Sequence, residues 1–292
     1  MAAHKNSLIL VAVVLYVVSG FSRTFMTVPA QTHPQRIISI IPSTTEMLFA
    51  MGAGPRVIGV GNFDRYPPEA LTRAKVGGLV DPDVERIISL KPDLVVVYGT
   101  QTDLQMQLRR AGVPLFLYQH AGLPDITTTI RELGARVGSV KESIDLANRV
   151  DADIADVRRR VAGRPRPRTL LVFGRDAETL RGIYASGGVG FLHDMLEAAG
   201  GTNVFADVKR QSIQTTSELA VARAPDVIVE IGIDTASTKT RNLAAWSALP
   251  SIPAVRTKRI YQLRGDGMMN PGPRIATSVR RVAEVLHPEA FK

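Results

Sequence analysis

Apolar residues in the first third of the chain come in short runs, each followed by a stretch with helical spacing. Runs at residues 36–41, 57–60, 94–98 and 113–118 are rich in Ile, Val and aromatic residues and predict strands. Between them, residues 43–52, 84–90, 103–111 and 126–137 space their apolar positions as helices do. The Ser43-Thr44-Thr45-Glu46 stretch predicts a capping box, with Ser43 as the cap and Glu46 three residues on. After residue 164 the alternation resumes, with strands at 169–173, 226–231 and 259–263 and helices at 191–199, 218–224, 243–248 and 274–286. Alternating strands and helices predict an α/β protein with mostly parallel strands.

Residues 141–161, KESIDLANRVDADIADVRRRV, stand apart from this alternation. Ile144, Ala147, Val150, Ile154, Val157 and Val161 form one narrow apolar stripe. Glu142 and Asp145 lead and Arg158, Arg159 and Arg160 close it, as the helix dipole prefers. Gly163, Pro165 and Pro167 end it, so the predicted helix is about 30 Å long. A helix of that length between two alternating segments reads as a strut.

The flanking segments echo one another. ERIISLKPDLVVV from Glu85 and ELAVARAPDVIV from Glu218 each place a Glu seven residues before a Pro-Asp pair, with an apolar strand next. STTEMLFAMGAG from Ser43 resembles GFLHDMLEAAGG from Gly190. The division this predicts is an export signal at 1–30, a first lobe at 31–140, a joining helix at 141–163 and a second lobe at 164–292, with a cleft between lobes. The export signal rests on Lys5, the apolar run 7–18 and the small residues after it; a retained anchor is the alternative. Losing that segment removes Lys5 and Arg23 and no acid, lowering the formal charge by two, from +9 to +7.

Charge and composition narrow the functional classes. The basic residues are scattered and only 5% of residues are aromatic, so no base-stacking surface is expected and nucleic acid is not an expected partner. The chain has no cysteine, which removes thiol catalysis, thiolate metal sites, disulfides and the lipid-bearing cysteine of tethered exported proteins. Gly187-Gly188-Val189-Gly190 lacks the Gly-Lys-Ser/Thr of a phosphate loop, Gly52-Ala53-Gly54 lacks the third glycine of a dinucleotide fingerprint, and no Gly-x-Ser-x-Gly elbow occurs. His4, His33, His120, His193 and His287 show no metal-ligand spacing, and neighbouring His193 and Asp194 diverge on a helix. An exported hydrolase or chelatase, or a membrane-tethered interaction protein, remains as an alternative to a binder.

The sequence resembles the extracytoplasmic substrate-binding proteins of ABC importers for cobalamin, haem and iron-siderophores, whose two lobes are joined by one rigid helix. The resemblance is carried by RIISIIPSTTEMLFAMGAG from Arg36, Tyr66-Pro67-Pro68, the LKPDLVVV core and NPGPRIATSVRRVAEVL from Asn270. It covers residues 36–290 and is strongest to the cobalamin-binding members. It implies two lobes of mostly parallel sheet flanked by helices, no cofactor of its own, a monomer, and as partners a metal chelate and the importer's permease with its ATPase. It also implies one permease-docking acid per lobe, by position Glu85 and Glu218. For the ligand we expect Pro42, Ser43 and Thr44 at a strand-to-helix turn, Phe63 and Tyr66 in the first-lobe loop, and Tyr98 and Phe173 after strands. Arg264, Met268 and Met269 follow the last long strand and complete the set. Cobalamin binders carry several tryptophans around the cleft, whereas this chain has only Trp246, expected outside it. That leaves other corrinoids, haem and ferric siderophores open, with Tyr98, Tyr118, His120 and Tyr184 as available axial groups for a haem.

Overall fold

Two separate sheets account for the strand predictions in a computed structural model, which describes residues 33–119, 122–233 and 240–292. The expected export signal at 1–30 and His120 lie outside the described residues. The first sheet holds β1 (Ile37–Ser39), β2 (Val57–Val60), β3 (Ala74–Lys75), β4 (Leu94–Tyr98) and β5 (Leu115–Tyr118) in the order β3-β2-β1-β4-β5, all parallel. Its helices are α1 (Pro42–Ala50), α2 (Val84–Ser89), α3 (Thr102–Arg110) and α4 (Leu123–Val137), and α5 (Val140–Val161) follows. Central β1 and β4 are buried on both faces, and so read as continuous apolar runs rather than alternating ones.

The second sheet contains β6 (Arg168–Gly174), β7 (Ile183–Ser186), β8 (Thr202–Asn203), β9 (Ser212–Thr215), β10 (Val227–Gly232) and β11 (Ile260–Arg264). Its order is β11-β10-β6-β7-β9, with β8 also on β6, and β7 runs antiparallel to both neighbours. The accompanying helices are α6 (Phe191–Ala198), α7 (Ser217–Arg223), α8 (Pro253–Arg256) and α9 (Ile275–Leu286). Strands β7, β8 and β9 escaped the sequence reading because they are short and half polar; Ser212–Thr215 has one buried residue in four.

The long helix α5 packs on α4 along its first half and on α9 and α6 further on. Its buried residues are Ser143, Leu146, Ala147, Val150, Ile154, Val157 and Val161. Ile144 is exposed, so the predicted stripe is displaced at its first turn. The cause is Gly134 on α4: a Cβ there would lie 2.0 Å from Ser143 Oγ, so the two helices approach with Ser143 at the contact.

One apolar core runs from β1 and β4 through α4 and α5 to α6, α9, β10 and β11. The two sheets therefore share an interior, and His33–Lys292 pack as one compact unit. A smaller core covers the other face of the second sheet, with Trp246 at its centre. Period-two alternation on β10 sends Val227, Val229 and Ile231 to the large core and Ile228 to the small one. Glu230 shares the face of Ile228.

The echo is a real structural repeat. In both sheets a short helix ends in a left-handed residue, Lys91 (φ 48°) or Ala224 (φ 44°), ahead of Pro-Asp and a central strand. Asp93 accepts from the backbone N–H of Gln35 and Arg36, and Asp226 from that of Arg168. Arg36 donates back to the carbonyls of Leu90 and Lys91, and Arg168 to that of Arg223. The Pro-Asp pair thus clips the start of one strand to its neighbour in each half.

Candidate functional site

A cavity of about 330 Å³ opens where the C-terminal ends of the parallel strands meet the segment before α9. That is where open α/β sheets bind ligands, and the volume lies at the lower end of the roughly 300–1,000 Å³ typical of small-molecule pockets. Ile41, Pro42 and Ser43 reach it from the end of β1, Phe63, Arg65 and Tyr66 from the loop after β2, and Tyr98 from the end of β4. Ile233, Asp266, Met269, Asn270, Pro271 and Arg274 come from the second half of the chain. Of the expected ligand residues, Pro42, Ser43, Phe63, Tyr66, Tyr98 and Met269 are brought together here.

The other four expected positions lie elsewhere. Thr44 is wholly buried, its hydroxyl on Ile41 O (3.0 Å) and beside Ser39 Oγ (2.8 Å), so it faces the β1 end and not the cavity. Met268 is folded into the core by a turn in which its N–H donates to Gly265 O. Phe173 pairs with Tyr184 on the second sheet, ring centroids 6.3 Å apart, and does not line the cavity. Arg264 donates to Thr240 Oγ1 and is likewise outside the lining. Trp246 lies in the small core, its indole N–H on Glu230.

Glu46 is the largest departure from the sequence reading. The N-cap of α1 is Ile41, with no side-chain cap bond, and Pro42 begins the helix without an N–H to satisfy. Glu46, freed from capping and 5% exposed, crosses to the other half of the chain. Arg274 grips it with Nε (2.9 Å) and Nη2 (2.6 Å), and Asn270 Nδ2 adds a third bond at 2.6 Å. The Arg274 guanidinium also lies 3.8 Å from the centroid of the Tyr66 ring. The hydrogen bonds to Glu46 hold Arg274 above its ordinary pKa. Glu46, Tyr66, Asn270 and Arg274 thus form a clasp in the cavity wall, joining residues 224 and 228 positions apart. Both sides of the clasp lay within the stretches that carried the family resemblance. A Glu amid the buried run Ser43–Leu48 was the signal that could have exposed it.

Two tyrosines meet behind the cavity. Tyr98 and Tyr118 have centroids 5.2 Å apart, and burial pushes both phenols above the usual range, so both hold their protons at neutral pH. Tyr184 is half exposed and away from the lining. Among the described residues, no group of three or more His, Asp or Glu is placed to hold a metal ion.

Glu85 and Glu218 occupy matching places in the first turns of α2 and α7, both exposed. Each helix is capped by the residue two positions earlier, Asp83 for one and Thr216 for the other. The Thr216 hydroxyl also holds the Glu218 carboxyl below the usual range.

Residues 37–266 match the periplasmic binding protein family. The chain belongs to that family. An ABC transporter substrate-binding lipoprotein of Bacillus subtilis, YvrC, is 30% identical over 271 residues, covering 91% of this chain and 84% of that one. The crystal structure of the periplasmic vitamin B12-binding protein BtuF of Vibrio cholerae superposes with a TM-score of 0.75 at 25% identity, covering 89% of this chain and 99% of BtuF. The periplasmic haem-binding protein RhuT of Roseiflexus sp. RS-1 gives a TM-score of 0.73 at 26% identity, over 88% and 99% of the two chains. The fold is that of the class III periplasmic binding proteins.

Proposed function

We propose that this protein is the extracytoplasmic substrate-binding component of an ABC importer, exported by its N-terminal segment. It captures a metal chelate (a corrinoid, a haem or a ferric siderophore) and delivers it to a membrane permease and its ATPase. The observation that carries the reading is the cavity at the strand ends. Phe63, Tyr66 and Tyr98 line one side and Met269, Asn270 and Arg274 come from the second half of the chain, a mix of flat apolar surface and hydrogen-bond donors suited to a macrocycle with polar edges. Relatives that bind vitamin B12 and haem share the fold. The role is binding rather than catalysis, and the protein acts as a monomer with lobes at residues 31–140 and 164–292 about the α5 region, 141–163. The shared core and the Glu46–Arg274 clasp favour a small closing motion.

Delivery uses the two repeat-related acids. Glu85 and Glu218, one on each half, suit arginines on the permease, because two separated charge-assisted pairs fix orientation. Glu85→Ala and Glu218→Ala are each expected to weaken docking about tenfold or more, since truncating one member of an interfacial charge pair costs about 2 kcal/mol or more. The pair together is expected to abolish stimulation of ATP hydrolysis in importer reconstituted in nanodiscs, with the melting temperature unchanged because both side chains are exposed. Full stimulation by the double variant would remove these residues from the docking face.

A further inference from the structure

The loop between β2 and Pro67 supplies three cavity residues, Phe63, Arg65 and Tyr66, and turns the fourth side chain the opposite way. Asp64 is 1% exposed, beneath the wall that its neighbours form. Its backbone is tightly held: Asp64 N–H donates to Gly61 O (3.2 Å), and Lys75 Nζ reaches Gly61 O (3.2 Å) and Asp64 O (3.0 Å). The carboxyl rests on the bare face of Gly61, where a Cβ would stand 2.8 Å from Asp64 Oδ2 and 2.9 Å from Ile40 O. Neither carboxyl oxygen, nor the Thr45 hydroxyl on α1, has a well-formed hydrogen bond among the described residues; the Thr45 hydroxyl and the Gly61 N–H stand near enough to favour the ionised form, but less than burial opposes it.

A buried carboxylate this weakly partnered is costly, whereas its protonated form loses much less on leaving water. The charged groups that act on it come from two elements. Lys75 on β3 favours ionisation, but its ammonium is committed to the two backbone carbonyls, and Glu46 on α1 opposes ionisation. We propose that Asp64 is a proton-linked positioning residue: its neutral carboxyl seats the loop carrying Phe63, Arg65 and Tyr66, and its ionisation loosens that wall of the cavity. The link to ligand capture rests on the cavity being the ligand site; the coupling of proton to loop does not.

Burial lifts the Asp64 carboxyl from 3.8 to about 6. Because the folded value lies above the unfolded one, the seated loop is most stable below pH 3.8. That advantage is lost as pH rises through about 6. An extracytoplasmic receptor exposed to mild acid would therefore hold this wall more firmly there than at neutral pH.

The test is amide hydrogen exchange of residues 62–66 in the full folded chain, wild type and Asp64→Asn, at about pH 5 and about pH 7.5. Protection factors of the wild-type loop are expected to fall about tenfold or more between the two, and those of the variant to stay level. A parallel ¹³C titration of the Asp64 carboxyl in the wild type needs no substitution and is expected to centre near the raised value. Equal pH dependence in wild type and variant, or a carboxyl midpoint in the ordinary aspartate range, would overturn the proposal. Neither readout uses a ligand, so failure to bind any chelate would count against the proposed function and leave this coupling standing.

Discussion

Arg175→Ala is expected to destabilise the protein by about 3–5 kcal/mol, the range for stranding one member of a buried ion pair. Arg175 and Glu230 are both wholly buried, joined by Nε to Oε1 at 2.6 Å. Trp246 Nε1 donates to the same oxygen at 2.7 Å, and Arg241 stands 3.8 Å from the other. The remaining donors of Arg175 go to the carbonyls of Asp176, Ala177, Thr179 and Asn242. This one guanidinium therefore neutralises the acid and fastens two loops to the end of the second sheet. Replacing both partners by apolar residues is often harmless for an isolated pair. It is not expected to be so here, because the carbonyls of Asp176 and Thr179 would lose the Arg175 donor and those of Ala177 and Asn242 one donor of two. Glu230→Gln keeps an acceptor for Arg175 and Trp246 and should cost much less. Urea denaturation of the three variants checks the order; an Arg175→Ala cost below about 1 kcal/mol would show that the hub contributes no more than an exposed salt bridge.

Arg274→Ala comes next, with an expected loss of about 3 kcal/mol, the low end of the same range because Arg274 is partly exposed while Glu46 is not. The variant leaves Glu46 with Asn270 alone and removes the cation from the face of Tyr66. Arg274→Lys is expected to recover only part of the loss, since an ammonium cannot make the paired contact and stack at once. Glu46, Tyr66 and Asn270 line the cavity, so both variants should also weaken ligand capture. Thermal and urea melts report the stability, and an Arg274→Lys variant as stable as the parent would contradict the bidentate reading.

The fold was legible where one physical requirement dominates a stretch. Strands buried on both faces announce themselves, as Leu94–Tyr98 does, and α5 was legible because no Gly or Pro interrupts it. The repeat was visible as Pro-Asp spacing, although its cause, an aspartate clipping the neighbouring strand, needed the fold. The glycine run at 187–190 carried no phosphate motif, and its purpose emerges only in three dimensions. A Cβ on Gly187 or Gly188 would lie 2.0 or 2.2 Å from the carbonyls of Arg210 and Ala206. The site was half legible. Tyr98 at a strand end and Phe63 and Tyr66 in the loop after β2 pointed toward the cavity, but the clasp depends on a contact spanning 228 residues, and no local spacing encodes it. Glu46 was misassigned because Ser43-x-x-Glu46 satisfies the local rule for a cap, while the helix already begins at Pro42 and places Ser43 inside its first turn. Thr44 and Met268 were drawn toward the site by their neighbours Ser43 and Met269, which line it, whereas both are themselves packed into the interior.

The central claim, capture of a chelate between the two halves, is tested most directly by what the protein carries. The full chain and an Ile233→Trp variant, which enlarges an exposed side chain of the cavity lining, are purified in parallel from cells grown with vitamin B12, haem and iron. Each is then examined by absorption spectroscopy and native mass spectrometry. The account predicts one corrin, porphyrin or ferric-siderophore spectrum at one ligand per wild-type chain and none on the variant. A wild-type protein with no chelate in any of these media, or an equal load on the variant, would contradict it.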